Sequence, residues 1–314
     1  MKSEILESLR KNFEGDIDTT PETLKTYSRD ASLFEIKPEL VLFPKHSKDV
    51  QSIVRLVNEH KKENPSLSIT ARSAGTDMTG GPLNESIILD FTRFMNKVLE
   101  VKPDFAIAEP GCLYRDFDKE TRKINRMMPA YTASRDICAL GGMVGNNAGG
   151  EKSIKYGKVE NHIKELDIIF SDGKEYTVKP LTKKELEEKI SKNDFESELY
   201  KKVWQLIESN YDVIMSGKPD VSKNSSGYYL WNVYDKETGT FDLCRLIVGS
   251  QGTLGIVTKI KFNLVPTPKY SNLLVVFLPS LDHISDLVKR IVPYKPESLE
   301  TYDDKAMILA VRFF

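Results

Sequence analysis

The chain has 314 residues, 29% charged and 40% hydrophobic, with a formal net charge of −1. That is the balance of a soluble globular protein of about two domains. The near-neutral total offers no handle for nucleic acid or for an anionic membrane surface. No run of about 18 apolar residues reads as a bilayer-spanning helix, so no integral membrane segment is expected. The N-terminal stretch MKSEILESLRKNFEGD is charged throughout and lacks the apolar core of a signal peptide. Its Ile5, Leu6, Leu9 and Phe13 suit a short amphipathic helix.

From Val41 onward the pattern alternates between element types. VLFP reads as a short apolar strand. SKDVQSIVRLVNEHKK reads as a helix with Val50, Ile53, Val54 and Val57 on one face and Ser47 as N-cap. LSITA is a strand that runs straight into the loop RSAGTDMTGG, and SIILDFT is another buried strand. This order predicts a small α/β unit over roughly residues 38–100. FAIAEPG then reads as a strand and LYRDFDKETRKI as a helix. LDIIF and EYTV flank Asp172-Gly173, a strong hairpin signal. Residues 182–214 are predicted helical, with Leu199, Val203, Leu206 and Ile207 at one-face spacing. Ile260, Phe262 and Leu264 alternate with Lys259, Lys261 and Asn263, as in a half-solvated antiparallel strand. Pro266 and Pro268 mark a boundary. Beyond it LLVVFL reads as a strand and LDHISDLVKRIV as a helix, a pair too small to bury a core alone.

Three widely spaced cysteines, Cys112, Cys138 and Cys244, read as reduced thiols in a cytoplasmic protein. His46, His60, His162 and His283 show no metal-ligand spacing, so no metal is expected.

Three glycine-rich loops remain: RSAGTDMTGG (72–81), LGGMVGNNAGG (140–150) and GSQGTLG (249–255). None fits the P-loop pattern, and none fits a dinucleotide fingerprint opening a helix. Each adjoins a buried strand, where consecutive backbone N–H groups free of side-chain bulk can surround a pyrophosphate. Ser73, Thr76, Asn146 and Asn147 add hydrogen-bonding side chains. A single such loop is equally well a turn. Three together point to a large phosphate-bearing ligand.

The ordered set VLFPKHSKDVQSIVRLVNEH, ITARSAGTDMTGGPL, IILDFTRFMNKVLEV, AEPGCLYRDF, ALGGMVGNNAGGEKSIKYG and RLIVGSQGTLGIVTKIKFNLVP resembles the FAD-binding domain of the FAD-linked oxidases, the vanillyl-alcohol oxidase and p-cresol methylhydroxylase (PCMH) type. It is most similar to the branch holding D-lactate and glycolate dehydrogenases. The resemblance implies an α+β fold: a two-subdomain PCMH-type domain with a small α/β part and a larger, mainly antiparallel sheet with helices. The implied boundaries are an N-terminal helical segment (1–37), the FAD-binding domain (38–268) and the start of a cap, or substrate, domain (269–314). Most of the cap and C-terminal region of such oxidases is then missing from these 314 residues, as in a truncated product, half of a split gene or a short subunit. It implies, further, that Arg72, Ser73, Ala74, Gly75, Thr76 and Asp77 wrap the pyrophosphate. Ser134, Asp136, Gly141, Gly142, Gly145, Asn146 and Gly149 belong to the stretch that follows the isoalloxazine and ribityl chain. Gly255, Ile256 and Val257 lie near the adenine or flavin edge. Some relatives attach FAD through a histidine in the first loop; here Thr76 stands near that point, so non-covalent FAD is expected. Gln251 replaces the Glu usual in GSEGTLG.

The remaining singled-out residues have two readings each. Arg72 is either a phosphate contact or half of a surface salt bridge. Lys155 and Tyr156 either border the flavin or support the loop by packing, His162 is structural in preference to catalytic, Cys138 is a small buried residue, and Tyr228 and Tyr229 are packing aromatics. A 2-hydroxy acid needs a cation for its carboxylate and a base near its hydroxyl, and no such constellation is visible, so the catalytic residues stay unassigned. The implied function is FAD-dependent oxidation of a D-2-hydroxy acid of lactate or glycolate type. The alternatives are a non-catalytic FAD-binding subunit that needs a partner chain or electron acceptor, and a reductase of the UDP-N-acetylenolpyruvoylglucosamine type. A peripheral membrane association remains compatible with the cytoplasmic reading.

Overall fold

A computed structural model describes residues 3–221 and 223–313. Two sheets organise it. The small sheet has the order 16–18, 40–43, 87–90, 69–72. Strand Asp16–Asp18 is antiparallel to Leu40–Phe43, and the other pairings are parallel. Its central strands, Leu40–Phe43 and Ile87–Asp90, are buried at every position, which is why they read as continuous apolar runs and not as alternating ones. Helix Ser47–His60 crosses between Leu40–Phe43 and Ile69–Arg72, laying Val50, Ile53 and Leu56 against the sheet; each such side chain contributes about 1.5–3 kcal/mol by leaving water. The N-terminal stretch is not helical alone. After helix Ser3–Asn12 it supplies the edge strand, and Ile5, Leu9 and Phe13 complete this core.

The larger sheet is five-stranded and antiparallel throughout, in the order 98–101, 105–108, 256–263, 163–169, 175–178. Strand Ile256–Asn263 lies at its centre and alternates buried and half-exposed positions, as its sequence predicts. Asp172-Gly173 makes the hairpin between Ile163–Ile169 and Glu175–Val178, with Gly173 at φ +72°. Ile169 and Ile256 reach from this sheet into the core of the small one, so the two are joined by packing as well as by chain.

Four expectations are corrected. Ser47 is not the N-cap of its helix: its hydroxyl donates to Glu175, and the His46 ring accepts from the Asp49 N–H instead. Residues 182–214 form three helices, Lys183–Ile190, Phe195–Ser209 and Tyr211–Ser216, because Asp194 caps a fresh N-terminus by accepting from Ser197 N. The run LGGMVG, read as loop, is a one-and-a-half-turn helix, Leu140–Gly145, whose Leu140, Met143 and Val144 are buried. LLVVFL pairs with nothing among the described residues: Leu273 is 88% and Phe277 91% exposed, and no strand lies beside it. Helix Ile284–Ile291 follows it as expected.

Candidate FAD site

The three glycine-rich segments converge on one cleft of about 1050 Å³, counting the part open to solvent. The first leaves the end of strand Ile69–Arg72, the second is the Leu140–Gly145 helix with the turn after it, and the third precedes strand Ile256–Asn263. Hydrogen bonds stitch them together. The Pro110 carbonyl accepts from Ser73 Oγ at 3.1 Å and from Gly141 N at 2.8 Å, tying the first segment to the second. Gly249 N donates to Val144 O and Gln251 N to Gly145 O, both at 2.9 Å, tying the third to the second. Asp77 ties the first segment to the second again. Its Oδ1 accepts from Asn146 Nδ2 at 2.8 Å, while Oδ2 accepts from Thr79 N, Thr79 Oγ1 and Gly81 N. Burial pushes this carboxyl up, but those donors outweigh it and hold the group below its ordinary value.

Of the residues singled out from sequence, Arg72, Ser73, Ala74, Gly75, Thr76, Asp77, Ser134, Gly141, Gly142, Gly145, Asn146, Gly255 and Val257 line this cleft. Three do not. Asp136 is exposed and its carbonyl accepts from Arg115. Gly149 packs against Ser153 and Lys158, and Ile256 is buried in the core between the sheets. Sequence reasoning missed Pro110, Thr132 and Ser250, which also line the cleft. The Pro-Gly turn after strand Phe105–Ala108 was the available signal for Pro110.

Arg72 is no surface ion pair. It is 9% exposed, its Nη2 donates to Arg29 O at 2.8 Å and its Nη1 to Tyr27 O at 3.4 Å, and it stacks over the Tyr27 ring. Gly75, at φ +66°, is required above it: a Cβ there would fall 2.5 Å from Arg72 Nη2. His162 is structural, sharing a hydrogen bond with Tyr156 O, and burial lowers its pKa. Tyr229 is buried and accepts from Lys158, as a packing aromatic should; Tyr228 is 44% exposed and bonds to Thr253 instead. Lys155 and Tyr156 turn to Glu297.

The lining suits a flat, phosphate-bearing group. The N–H groups of Ala74, Gly75 and Thr76 have no acceptor among the described residues. A Cβ on Gly142 or Gly145 would meet no atom nearer than 3.9 Å, so both present bare backbone to the cleft. Asn147, between the lining residues Asn146 and Ala148, carries a buried amide nitrogen with no partner. Nothing in the lining is a free general base. Arg72 and Asp77 are committed to the bonds above, and burial raises the Cys138 thiol.

Residues 38–179 match the family described as "FAD binding domain". This stretch is similar to that domain. Relatives extend the similarity beyond it. The chain is 29% identical over 304 residues to the D-2-hydroxyglutarate dehydrogenase of Escherichia coli (strain K12), covering 96% of this chain and 30% of that one. It is 25% identical to "Glycolate oxidase subunit GlcD" of Bacillus subtilis (strain 168), covering 90% and 49%, and 23% identical to a D-lactate dehydrogenase of Archaeoglobus fulgidus, covering 83% and 47%. The chain thus spans between about a third and a half of the length of these relatives. A solved alkyldihydroxyacetonephosphate synthase superposes with a TM-score of 0.68 at 18% identity, covering 99% of this chain and 49% of the other, which shows the fold. The fold is therefore the PCMH-type architecture that the motifs implied, with both sheets flanking the cleft. Among the described residues no helix is long and apolar enough to cross a membrane, and no group of three metal-ligating side chains gathers.

Proposed function

We propose that this chain is the flavin-binding part of a dehydrogenase that oxidises D-2-hydroxy acids, with FAD held non-covalently. The observation that carries the reading is the meeting of three glycine-rich segments at one cleft, in a chain whose relatives are named for 2-hydroxy acids. The free amides of Ala74, Gly75 and Thr76, with Ser73, hold the pyrophosphate. Gly141, Gly142, Gly145 and Asn146 lie along the ribityl chain and ring system, where side chains would exclude a flat cofactor. Gly255 and Val257 close the far edge. FAD, when bound, supplies the hydride acceptance that oxidises an alcohol carbon; the protein positions the substrate and keeps water out. Two features support non-covalent binding. No histidine lines the cleft, and the thiol in its lining, Cys138, is buried and accepts a hydrogen bond from Thr132. Residues 38–268 form the cofactor-holding unit and residues 269–314 belong to the substrate-facing part. The three cysteines, all buried and unpaired, fit a reducing compartment such as the cytoplasm.

A second reading has support of its own. The cleft lacks a free base, and the Bacillus subtilis relative is named as a subunit, so the chain can equally act as a flavoprotein partner within a larger enzyme. One experiment separates the two. Purified chain is loaded with FAD, its spectrum recorded, and D-2-hydroxyglutarate, D-lactate or glycolate added anaerobically. Bleaching identifies a competent dehydrogenase. Persistent flavin bands favour the subunit reading, and no flavin uptake at all overturns both. Denaturation followed by filtration should release the flavin, and colour retained on the protein would refute non-covalent binding.

A further inference from the structure

A site for the substrate's carboxylate is what the cleft lining lacks, and a short segment that follows the lining in the chain holds one of the protein's own carboxylates. Glu297 is the occupant. Tyr156 Oη donates to its Oε1 at 2.8 Å and Lys155 Nζ to the same oxygen at 3.0 Å, while Lys152 Nζ lies 3.2 Å from Oε2. Both oxygens of one carboxylate are thus engaged by three donors from a single short stretch. Lys152 is only 18% exposed at its side chain and Glu297 25%, so this is a partly desolvated pair and not a surface contact. The two lysines outnumber the carboxylate they hold, and the neighbouring Glu151 is already taken by Tyr131 Oη and Arg135.

None of the three lines the cleft, but the segment that carries them continues directly from its lining. Ala148, which lines it, lies four residues upstream of Lys152. Lys152 Nζ sits 5.7 Å over the Tyr131 ring, and the next residue, Thr132, lines the cleft as well. Gly150 packs so closely on this segment that a Cβ would fall 2.3 Å from Tyr131 O. The attachment of Glu297 is also exchangeable in form. Among the described residues, no other hydrogen bond or ion pair joins residues 268–313 to the rest of the chain.

We infer that Lys152, Lys155 and Tyr156 form a carboxylate-binding site at the rim of the FAD cleft, filled here by the chain's own Glu297, which a substrate carboxylate displaces. Only the identity of the incoming ligand rests on the 2-hydroxy-acid reading; the site itself does not. Burial pushes the Glu297 carboxyl up, but hydrogen bonds from Tyr156, Lys155 and Lys152 outweigh it and bring it down to about 2, so the occupant is ionised, as a 2-hydroxy acid is. Glu297 then acts as a tethered competitor, and a tether of this kind sets an effective concentration of roughly millimolar.

The test is calorimetric titration of the FAD-loaded chain with propionate, a carboxylate without a hydroxyl, and with propionamide, its neutral counterpart. Glu297→Gln should bind propionate about tenfold more tightly than wild type, by removing the competitor, with propionamide unchanged. Adding Lys152→Met and Lys155→Met to that variant should abolish the gain, and adding Tyr156→Phe should reduce it; circular dichroism checks that each variant is folded. The proposal fails if Glu297→Gln binds propionate no more tightly than wild type, or if its gain survives loss of both lysines. Were the propionate pattern to hold while D-2-hydroxyglutarate, D-lactate and glycolate all left the flavin unbleached, the rim site would stand and the dehydrogenase reading would give way to the subunit one. Bleaching without the propionate pattern would mean the reverse.

Discussion

Asp77 shows how a residue that lines a ligand cleft is spent on building it. Its carboxylate takes four donors, three from its own loop and one from Asn146 on the next segment. Asp77→Ala should cost about 1–3 kcal/mol, since it leaves those donors without a charged partner. The pH dependence follows from the lowered native pKa. A depressed carboxyl contributes its full stability above the unfolded value, near 3.8, and loses it as pH falls through the native one. The gap between wild type and Asp77→Ala in urea denaturation should therefore be complete at pH 6 and shrink below pH 3.8. A gap of the same size at pH 3 would show that the carboxylate charge is not what counts. The sequence resemblance placed Asp77 among the residues that wrap the pyrophosphate. That its partner is Asn146, 69 positions away, is a fact of tertiary packing.

At the scale of elements, the Leu140–Gly145 helix separates two uses of glycine that look alike in sequence. Gly141 is needed by the protein: a Cβ there would fall 2.7 Å from Pro110 Cβ and 2.8 Å from Ser73 Oγ. Gly142 and Gly145 have room for a Cβ, with no atom nearer than 3.9 Å. Gly141→Ala should therefore destabilise the fold by about 1–3 kcal/mol through overpacking. Gly142→Ala should leave the melting temperature unchanged or raise it, because alanine is the better helix former by about 0.8–1.0 kcal/mol. Its retention of FAD should still fall at least about tenfold, equivalent to about 1.4 kcal/mol of binding. Equilibrium dialysis of flavin beside a thermal melt reads both effects. If Gly142→Ala holds FAD like wild type, the cofactor does not run along this helix. The helix itself was hard to see because five glycines in fourteen residues argue against one. Burial of Leu140, Met143 and Val144 outweighs that propensity, as tertiary contacts commonly do.

In the whole molecule, two joined sheets form one body, and residues 269–313 lie outside it apart from the Glu297 contact. Lys269 and the apolar run behind it are exposed and unpaired. Brief trypsin treatment should therefore cut first after Lys269, leaving a body that retains FAD and melts like the intact chain. Primary cleavage within residues 38–266, or loss of flavin from the trimmed product, would contradict this division.

Sequence alone was enough for the strands and helices whose burial is periodic or continuous: the three parallel strands of the small sheet, the Asp172-Gly173 hairpin and the alternating strand Ile256–Asn263. Their hydrophobic pattern is local, so it is legible without knowing what it packs against. Sequence also singled out the three glycine-rich segments, because giving up so much backbone order needs a reason. Tertiary structure decided what no local pattern records. It placed the three segments around one cleft and buried Arg72 beneath the first loop. It turned Ile256 into the core and left the LLVVFL run without a partner. It also set Glu297 against Lys152, Lys155 and Tyr156, more than 140 positions apart along the chain. These outcomes depend on which surfaces meet across long stretches of chain, and a side chain's neighbours there are fixed by packing and not by spacing.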